Sequence, residues 1–139
     1  MKNIAKTTLL AFLLGTGALA TADHHSDAEH DGNQVKHVGY SELGDPATVL
    51  EVKTEASRAL GQGEVRVTVL AAPINPSDLL QIAGNYGVDP VLPARPGSEG
   101  VGRVIEVSPD VQALKVGQLV LLASGSTWAE ELVAPAAGF

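Results

Sequence analysis

The sequence contains no cysteine, and aromatic residues make up only 4% of its composition. The absence of cysteine excludes disulfide bonds, thiolate catalysis and any zinc site that needs a cysteine ligand. It says little about the cellular compartment, because a domain without cysteine is compatible with any redox environment. Any chemistry of this chain must therefore be carried out without thiols.

Basic residues are also scarce: 9 lysines and arginines stand against 16 aspartates and glutamates, which gives a formal net charge of -7. No basic stripe runs along the chain, so the sequence gives no support for nucleic-acid binding. Hydrophobic residues make up 45% of the chain, a fraction typical of a folded core rather than of a disordered protein. The length of 139 residues suits one domain preceded by a leader.

The first 22 residues have the organisation of a signal peptide. Lys2 and Lys6 form a positively charged start, and residues 9–20 form an apolar run of suitable length. The run is too short for a comfortable membrane span. We therefore expect cleavage near Ala20 or Ala22 and a periplasmic or secreted protein without a stable membrane anchor. A buried N-terminal helix or an uncleaved anchor is the alternative.

Residues 23–34 form a polar, acidic segment that contains His24, His25 and His30. Neutral imidazoles beside carboxylates can bind zinc, copper or nickel. A flexible segment must first be ordered, however, and the lost entropy weakens chelation. We interpret the segment as a solvated linker, with metal binding as the alternative.

From residue 35 onward the sequence is typical of a β-rich domain. The clearest strand is predicted over residues 64–70, where three valines alternate with polar neighbours. One short helix is predicted over residues 76–83. Further strands are predicted over residues 35–40, 49–53, 101–107 and 119–122, and from about Thr127 onward. Many short strands with a single helix predict a small, closed or partly closed β-barrel.

Glycine, proline and a few polar residues are concentrated in one region between two of these strands. The region includes Asn-Pro-Ser-Asp at residues 75–78, Gly-Asn-Tyr-Gly at 84–87 and Gly-Ser-Glu-Gly-Val-Gly at 97–102. Turn formers at this density fix the backbone, and loops held in this way often carry function. The order of these groups resembles the medium-chain dehydrogenase/reductase superfamily. Within it, the zinc-free 2-enoyl thioester reductases of the mitochondrial type are the most similar.

The resemblance implies a mainly β fold for residues 35–139: a GroES-like, partly open β-barrel with one short helix, the N-terminal substrate domain of the superfamily. The family's Rossmann domain, which binds the nucleotide, would begin only after Phe139, so we expect the chain to be truncated relative to a complete enzyme. The glycines of residues 97–102 do not replace that domain. They precede a strand, whereas a dinucleotide fingerprint needs strand, turn and helix in that order.

The resemblance also bears on zinc. Zinc-dependent members of the superfamily bind the metal through a cysteine near the position of Pro76 and a histidine in a Gly-His-Glu motif. Here the motif reads Gly97-Ser98-Glu99 and no cysteine is present. A catalytic zinc site needs about three strong protein ligands, and only Glu99 is retained. We therefore expect no metal site in the folded body.

Three side chains in these motifs are candidate functional residues. The resemblance implies that Tyr86 is the catalytic tyrosine, and a phenol can donate a hydrogen bond or a proton at neutral pH without first being charged. It places Asn75 near the nicotinamide ribose, although asparagine before proline is also a good helix N-cap. Trp128 is expected either to pack in the barrel or to wall the substrate cleft.

The resemblance thus predicts the N-terminal domain of a zinc-independent, NADPH-dependent oxidoreductase that reduces the activated C=C bond of a 2-enoyl thioester. Its partners would be a small-molecule substrate, either an enoyl thioester or a quinone, and a second identical chain if the enzyme is of full length. Two alternatives stay open: a non-catalytic, exported GroES-like binding module and a fragment of a quinone oxidoreductase. Hydride transfer requires a bound nicotinamide, so the isolated chain is not expected to be a complete enzyme.

Overall fold

The computed structural model describes residues 34–139. The predicted signal peptide, and all but the last residue of the predicted linker over residues 23–34, lie outside the described residues. The elements are β1 (Gln34–Gly39), α1 (Pro46–Val49), β2 (Glu51–Ala56), β3 (Glu64–Ala71), α2 (Pro76–Ile82), β4 (Gly100–Val107), β5 (Leu119–Leu122) and β6 (Glu131–Pro135), followed by a 3₁₀ turn (Ala136–Gly138). Neither α1 nor α2, the α-helices of this described part, has the length and apolar character needed to span a membrane.

The strands form two antiparallel sheets that meet along one seam. β1 pairs with β2, and the other four strands are ordered β5–β4–β3–β6. At the seam, the Val38 N–H donates to the Trp128 carbonyl oxygen (2.8 Å) and the Glu130 N–H donates to the Lys36 carbonyl oxygen (2.9 Å). The result is the partly open barrel that was predicted. Because every strand pair is antiparallel, residues 34–139 contain no doubly wound parallel sheet of the Rossmann type.

The core lies on the inner face of the four-stranded sheet. Val65 and Val67 on β3 are fully buried, whereas Arg66 between them is only half-buried, as the period-two geometry of a strand requires. The strand predicted over residues 64–70 is confirmed, and β3 extends one residue further. The buried cluster consists of Val65, Val67, Val104, Leu114, Val120 and Leu122.

Helix α1 is a second short helix, where the sequence predicts only one. Asp45 caps it, because its carboxylate accepts a hydrogen bond from the Ala47 N–H at 2.9 Å, and Pro46 follows as the first helical residue. Aspartate followed by proline is a good start signal for a helix. The helix takes up residue 49, so β2 begins at Glu51 rather than two residues earlier.

The last strand begins at Glu131, four residues later than the predicted start near Thr127. Gly125 and Ser126 both have positive φ angles, of 85° and 61°, and this turn interrupts the extended backbone. The Thr127 N–H then donates to the Gly97 carbonyl oxygen at 3.2 Å instead of joining a strand ladder. The predicted start of the last strand was therefore wrong, because the main chain at Thr127 is hydrogen-bonded to the loop at Gly97.

Candidate functional site

The candidate site begins where β3 leads into the N-terminus of α2. Asn75 is the cap residue, and Pro76 fits the first helical position because the N–H that proline lacks is not needed there. The geometry at this end is that of a capping box: the Asp78 N–H donates to the Asn75 main-chain oxygen at 3.0 Å beside the Asn75 side chain, and the Asp78 carboxylate accepts from the Asn75 N–H at 2.9 Å. Asp78 is buried. Asn75 therefore does cap the helix, which is one of the two roles predicted for it.

The loop before β4 brings Ser98 and Glu99 against this helix end. The Ser98 hydroxyl donates to the Asp78 carboxylate at 2.7 Å. The Asn75 side-chain NH₂ donates to Glu99 Oε1 at 3.0 Å and lies 3.5 Å from the Ser98 hydroxyl oxygen. We call Asn75, Asp78, Ser98 and Glu99 the Asn75 cluster. It joins two motifs whose contacting residues are 20, 23 and 24 positions apart in the chain.

The Asn75 cluster includes the positions at which the resemblance puts zinc ligands in other members of the superfamily. Ser98 stands at the histidine position, and its hydroxyl is engaged by Asp78. Glu99, the retained ligand type, accepts from the Asn75 amide. Among residues 34–139, no group of three or more histidine, cysteine, aspartate or glutamate side chains is arranged to hold a metal ion.

At Gly97, the backbone of this loop packs directly against the segment that carries Trp128. Gly97 has a φ of 95°, and a Cβ at this position would overlap the Thr127 hydroxyl oxygen and the Trp128 ring. The fully buried Thr127 donates its hydroxyl hydrogen to the Glu99 carbonyl oxygen at 2.8 Å. Glycine alone offers both the space and the backbone conformation required here.

Trp128 lines a concavity of about 500 Å³ between the two sheets. Its indole N–H donates to the Pro73 carbonyl oxygen at 3.0 Å, so the ring is tied to the chain just before Asn75. The neighbouring side chains of the concavity are mostly apolar: Val38, Val52, Val69, Leu70 and Ile74. Trp128 thus packs in the barrel and also walls an open apolar cleft, two positions that the sequence could not distinguish.

His37 lines the same concavity and was not singled out from the sequence. It is 9% exposed, and its Nδ1 atom has no hydrogen-bond partner among the described residues. Burial lowers the pKa of His37, and the positive charge of Arg95 lowers it further. His37 lies on β1 two residues after the buried Val35, and that spacing is the sequence signal of its burial.

Tyr86 lies on the turn that follows α2 and is not among the residues that line the concavity beside Trp128. The turn is framed by Gly84 and Gly87, with φ angles of 75° and 73°. The tyrosine is 54% exposed, and within residues 34–139 its hydroxyl has no hydrogen-bond partner. The loop before β4 thus contacts both Asn75 and the segment that carries Trp128. Tyr86, by contrast, lies on a separate, exposed turn.

Replacing Gly97 by alanine should reduce the free energy of unfolding by about 2–4 kcal/mol, because both steric overlap and a positive φ oppose the new methyl group. Gly117→Ala is the matched control. Gly117 has a φ of 90°, but the space around a Cβ is open, so we expect a loss of only about 1–2 kcal/mol. Urea unfolding followed by the fluorescence of Trp128, the only tryptophan in the chain, measures both. Equal losses of unfolding free energy in the two variants would contradict the tight packing of Gly97 against Thr127 and Trp128.

The fold and its loops define the class of this domain, the N-terminal barrel of the medium-chain dehydrogenase/reductase superfamily. The chain belongs to the alcohol dehydrogenase GroES-like domain family, whose model matches residues 61–136. The superfamily and the fold class predicted from the sequence are thereby confirmed.

Named relatives and solved structures show where the chain stands within the superfamily. It is 47% identical over 103 residues to the mitochondrial enoyl-[acyl-carrier-protein] reductase of Mus musculus, a match that covers 73% of this chain and 28% of the relative. The complex of Etr1p with NADP and crotonyl-CoA aligns with a TM-score of 0.70 and 29% identity, covering 76% of this chain and 33% of Etr1p. A putative NADPH:quinone reductase from Bacillus thuringiensis aligns with a TM-score of 0.68 and 38% identity, covering 74% and 31%. The chain thus spans about a third of the length of these proteins.

The comparison corrects the predicted localisation. Curated relatives from mouse, cattle, rat and human are all named as mitochondrial enzymes, so the prediction of a periplasmic or secreted protein was wrong. That prediction depended on a positively charged start, an apolar run and an expected cleavage site near Ala20 or Ala22. Such short composition signals carry no information about the domain that follows them, and the domain is the part that the relatives share.

Proposed function

We propose that this domain is the N-terminal substrate domain of a zinc-independent, NADPH-dependent reductase that acts on the C=C bond of a 2-enoyl thioester. The observation that carries the proposal is the presentation of Tyr86, half exposed between two glycines of positive φ. The chain in which this tyrosine occurs is 47% identical to an enoyl reductase over most of its length. The alternative of an exported, non-catalytic module is not favoured, because the relatives are named as mitochondrial enzymes.

Tyr86 is proposed to act at the thioester end of the reaction. Reduction adds a hydride to C3 of the enoyl thioester and a proton to C2, and negative charge builds on the thioester oxygen in between. NADPH supplies the hydride when it is bound. The Tyr86 hydroxyl, without a partner in the described part of the chain, can donate a hydrogen bond to that oxygen or a proton to the substrate.

Asn75 is proposed to contact the nicotinamide ribose or its carboxamide. An asparagine amide offers both donors and an acceptor, which suits either group. The cofactor's phosphates call for the glycine-rich first turn of a parallel, doubly wound sheet, and all strand pairs among residues 34–139 are antiparallel. Asn75 would therefore meet only the reactive end of the cofactor, and a second domain would hold the rest.

Trp128 is proposed to wall the part of the cleft that takes the acyl chain. The concavity beside it is lined mainly by aliphatic side chains, and apolar clefts with a few polar groups are the usual setting for such ligands. The indole hydrogen bond to Pro73 keeps the ring in place. The proposed pairing of two copies in a full-length enzyme follows from the superfamily resemblance alone.

The proposal of zinc independence is supported by the hydrogen bonds within the Asn75 cluster. Ser98 donates to Asp78, and Glu99 accepts from Asn75, so the polar groups of this cluster are already engaged with one another. We expect less than a tenth of a zinc ion per chain, roughly the level of adventitious metal, by elemental analysis. The measurement uses a variant from which residues 23–34 have been deleted, because His24, His25 and His30 could bind metal on their own. One zinc per chain would contradict the proposal.

A chimera tests the activity. The full 139-residue chain replaces the matching N-terminal part of the mouse enzyme, and the rest of that enzyme follows. We expect NADPH oxidation with crotonyl thioester by the chimera and none by the 139-residue chain alone. Holding the reactants in attack geometry is worth about 7–11 kcal/mol, and we expect the isolated barrel to lose this contribution because it frames only one side of the cofactor. Turnover by the chain alone would contradict this, as would an inactive chimera that is folded by circular dichroism beside an active mouse enzyme.

Quinone reduction is the second candidate function. The putative quinone reductase from Bacillus thuringiensis is 38% identical to the chain, compared with 29% for Etr1p. The chimera and the mouse enzyme should be assayed side by side with a quinone and with crotonyl thioester. A chimera that gains quinone reduction and loses enoyl reduction, relative to the mouse enzyme, would favour the quinone reductase.

A further inference from the structure

The hydrogen bond between Asn75 and Glu99 determines which end of the Asn75 amide is available to a ligand. A carboxylate can only accept hydrogen bonds, so the side-chain NH₂ of Asn75 must be the group that faces Glu99. The distance from Nδ2 to Oε1 is 3.0 Å, which is a good charge-assisted bond. This hydrogen bond therefore determines the orientation of the Asn75 amide, and the amide oxygen points away from the carboxylate.

The loop that carries Glu99 is itself anchored on both sides. The buried Thr127 hydroxyl donates to the Glu99 main-chain carbonyl oxygen at 2.8 Å. On the other side, the Ser98 hydroxyl donates to the buried Asp78 at 2.7 Å. The Glu99 carboxylate thus projects from a fixed backbone although its side chain is exposed.

We infer that Glu99 is a positioning residue: it holds the Asn75 carboxamide so that Oδ1 accepts from a donor group of the bound cofactor. The inference rests on the proposed function, in which Asn75 contacts the nicotinamide ribose or carboxamide. The Asp78 N–H donates to the Asn75 main-chain oxygen at 3.0 Å. An amide oxygen has two lone pairs, so Asn75 Oδ1 can accept from a ligand donor while it lies beside this helix end. The group recognised is then a hydroxyl or an amide N–H, since the Asn75 NH₂ is already engaged by Glu99.

The orientation can be tested in the 139-residue chain itself, without cofactor. The ¹⁵N-labelled side-chain NH₂ of Asn75 should show a downfield proton from its bond to the carboxylate. Glu99→Ala should move this proton toward the value of a solvated amide, and Glu99→Gln, which keeps an acceptor oxygen, should move it less. Glu106→Gln is the control, because Glu106 pairs with Arg66 instead. An Asn75 resonance that is unchanged in Glu99→Ala would overturn the inference.

The consequence for binding can be tested in the chimera by the dissociation constant of NADPH, measured by fluorescence titration. Glu99→Ala should weaken NADPH binding about tenfold, the effect of losing a charge-assisted hydrogen bond. Glu99→Gln should restore part of this, and Asn75→Ala should weaken binding by a similar factor. The double variant should bind no worse than Asn75→Ala, because both changes remove the same contact.

The outcomes separate this inference from the proposed function. Independent, multiplying losses in the double variant would overturn the positioning role while the reductase proposal stands. An unmodified chimera that is folded but neither binds NADPH nor reduces crotonyl thioester would overturn the reductase proposal and, with it, the ligand contact assigned to Asn75. The resonance measurement would then still decide whether Glu99 orients the amide.

Discussion

Replacing Tyr86 by phenylalanine in the chimera is expected to lower kcat by about 10²–10⁴, the usual effect of removing a positioned acid or hydrogen-bond donor. The KM for the enoyl thioester should change much less, because the hydroxyl is needed most where negative charge develops on the thioester oxygen. Steady-state NADPH oxidation with crotonyl and longer enoyl thioesters measures both constants.

Tyr40, the other tyrosine of the chain, provides the matched control. It is 1% exposed, and burial raises the pKa of its hydroxyl. Tyr40→Phe removes the same hydroxyl from the protein interior, so it should leave kcat within about twofold, in line with a group that does not touch the reacting atoms. If Tyr86→Phe behaves like Tyr40→Phe, the exposed tyrosine has no part in the mechanism.

The second large effect concerns the barrel that carries the site. Leu122 on β5 is 1% exposed and packs in the core cluster, whereas its neighbour Leu121 is 77% exposed. Leu122→Ala should lower the free energy of unfolding by about 2–5 kcal/mol through lost burial and a residual cavity. Leu121→Ala should change it by no more than about 0.5 kcal/mol.

Urea unfolding of both variants of the 139-residue chain measures this difference. The pair is informative because a shift of one residue in the β4–β5 register would exchange the two faces of β5. A larger loss for Leu121→Ala than for Leu122→Ala would therefore show that the observed pairing of Val101 with Leu121 is wrong.

Local patterns predict most of the strands because the residues of each strand contain the evidence for it. The alternation over residues 64–70 predicts β3, and the apolar run over residues 119–122 predicts β5 with the bounds observed. The helix predicted over residues 76–83 is observed as Pro76–Ile82. In each case, periodicity and flanking turn residues agree with the tertiary structure.

The errors in the fold prediction lie where distant contacts override local pattern. The chain from Thr127 has strand-like composition, yet its main chain bonds to the loop at Gly97, 30 positions earlier, and β6 starts only at Glu131. Helix α1 carries a readable cap at Asp45, but its four residues are too few for a periodic signal.

For the site, the sequence identifies the residues and not their partners. The motif at residues 75–78 predicts the helix cap, and the structure shows the cap. The bond from Asn75 to Glu99, by contrast, joins residues 24 positions apart, and no local pattern encodes that pairing. The same holds for the indole bond from Trp128 to Pro73, which spans 55 positions.

The central claim is that this barrel serves the transfer of a hydride to an enoyl thioester. Its most direct test is isotopic: the chimera is supplied with crotonyl thioester and NADPH that carries deuterium at both C4 positions. We expect butyryl thioester with one deuterium, located at C3, and a C2 proton taken from solvent. Saturated product without deuterium, or NADPH oxidised with the crotonyl thioester left intact, would contradict it.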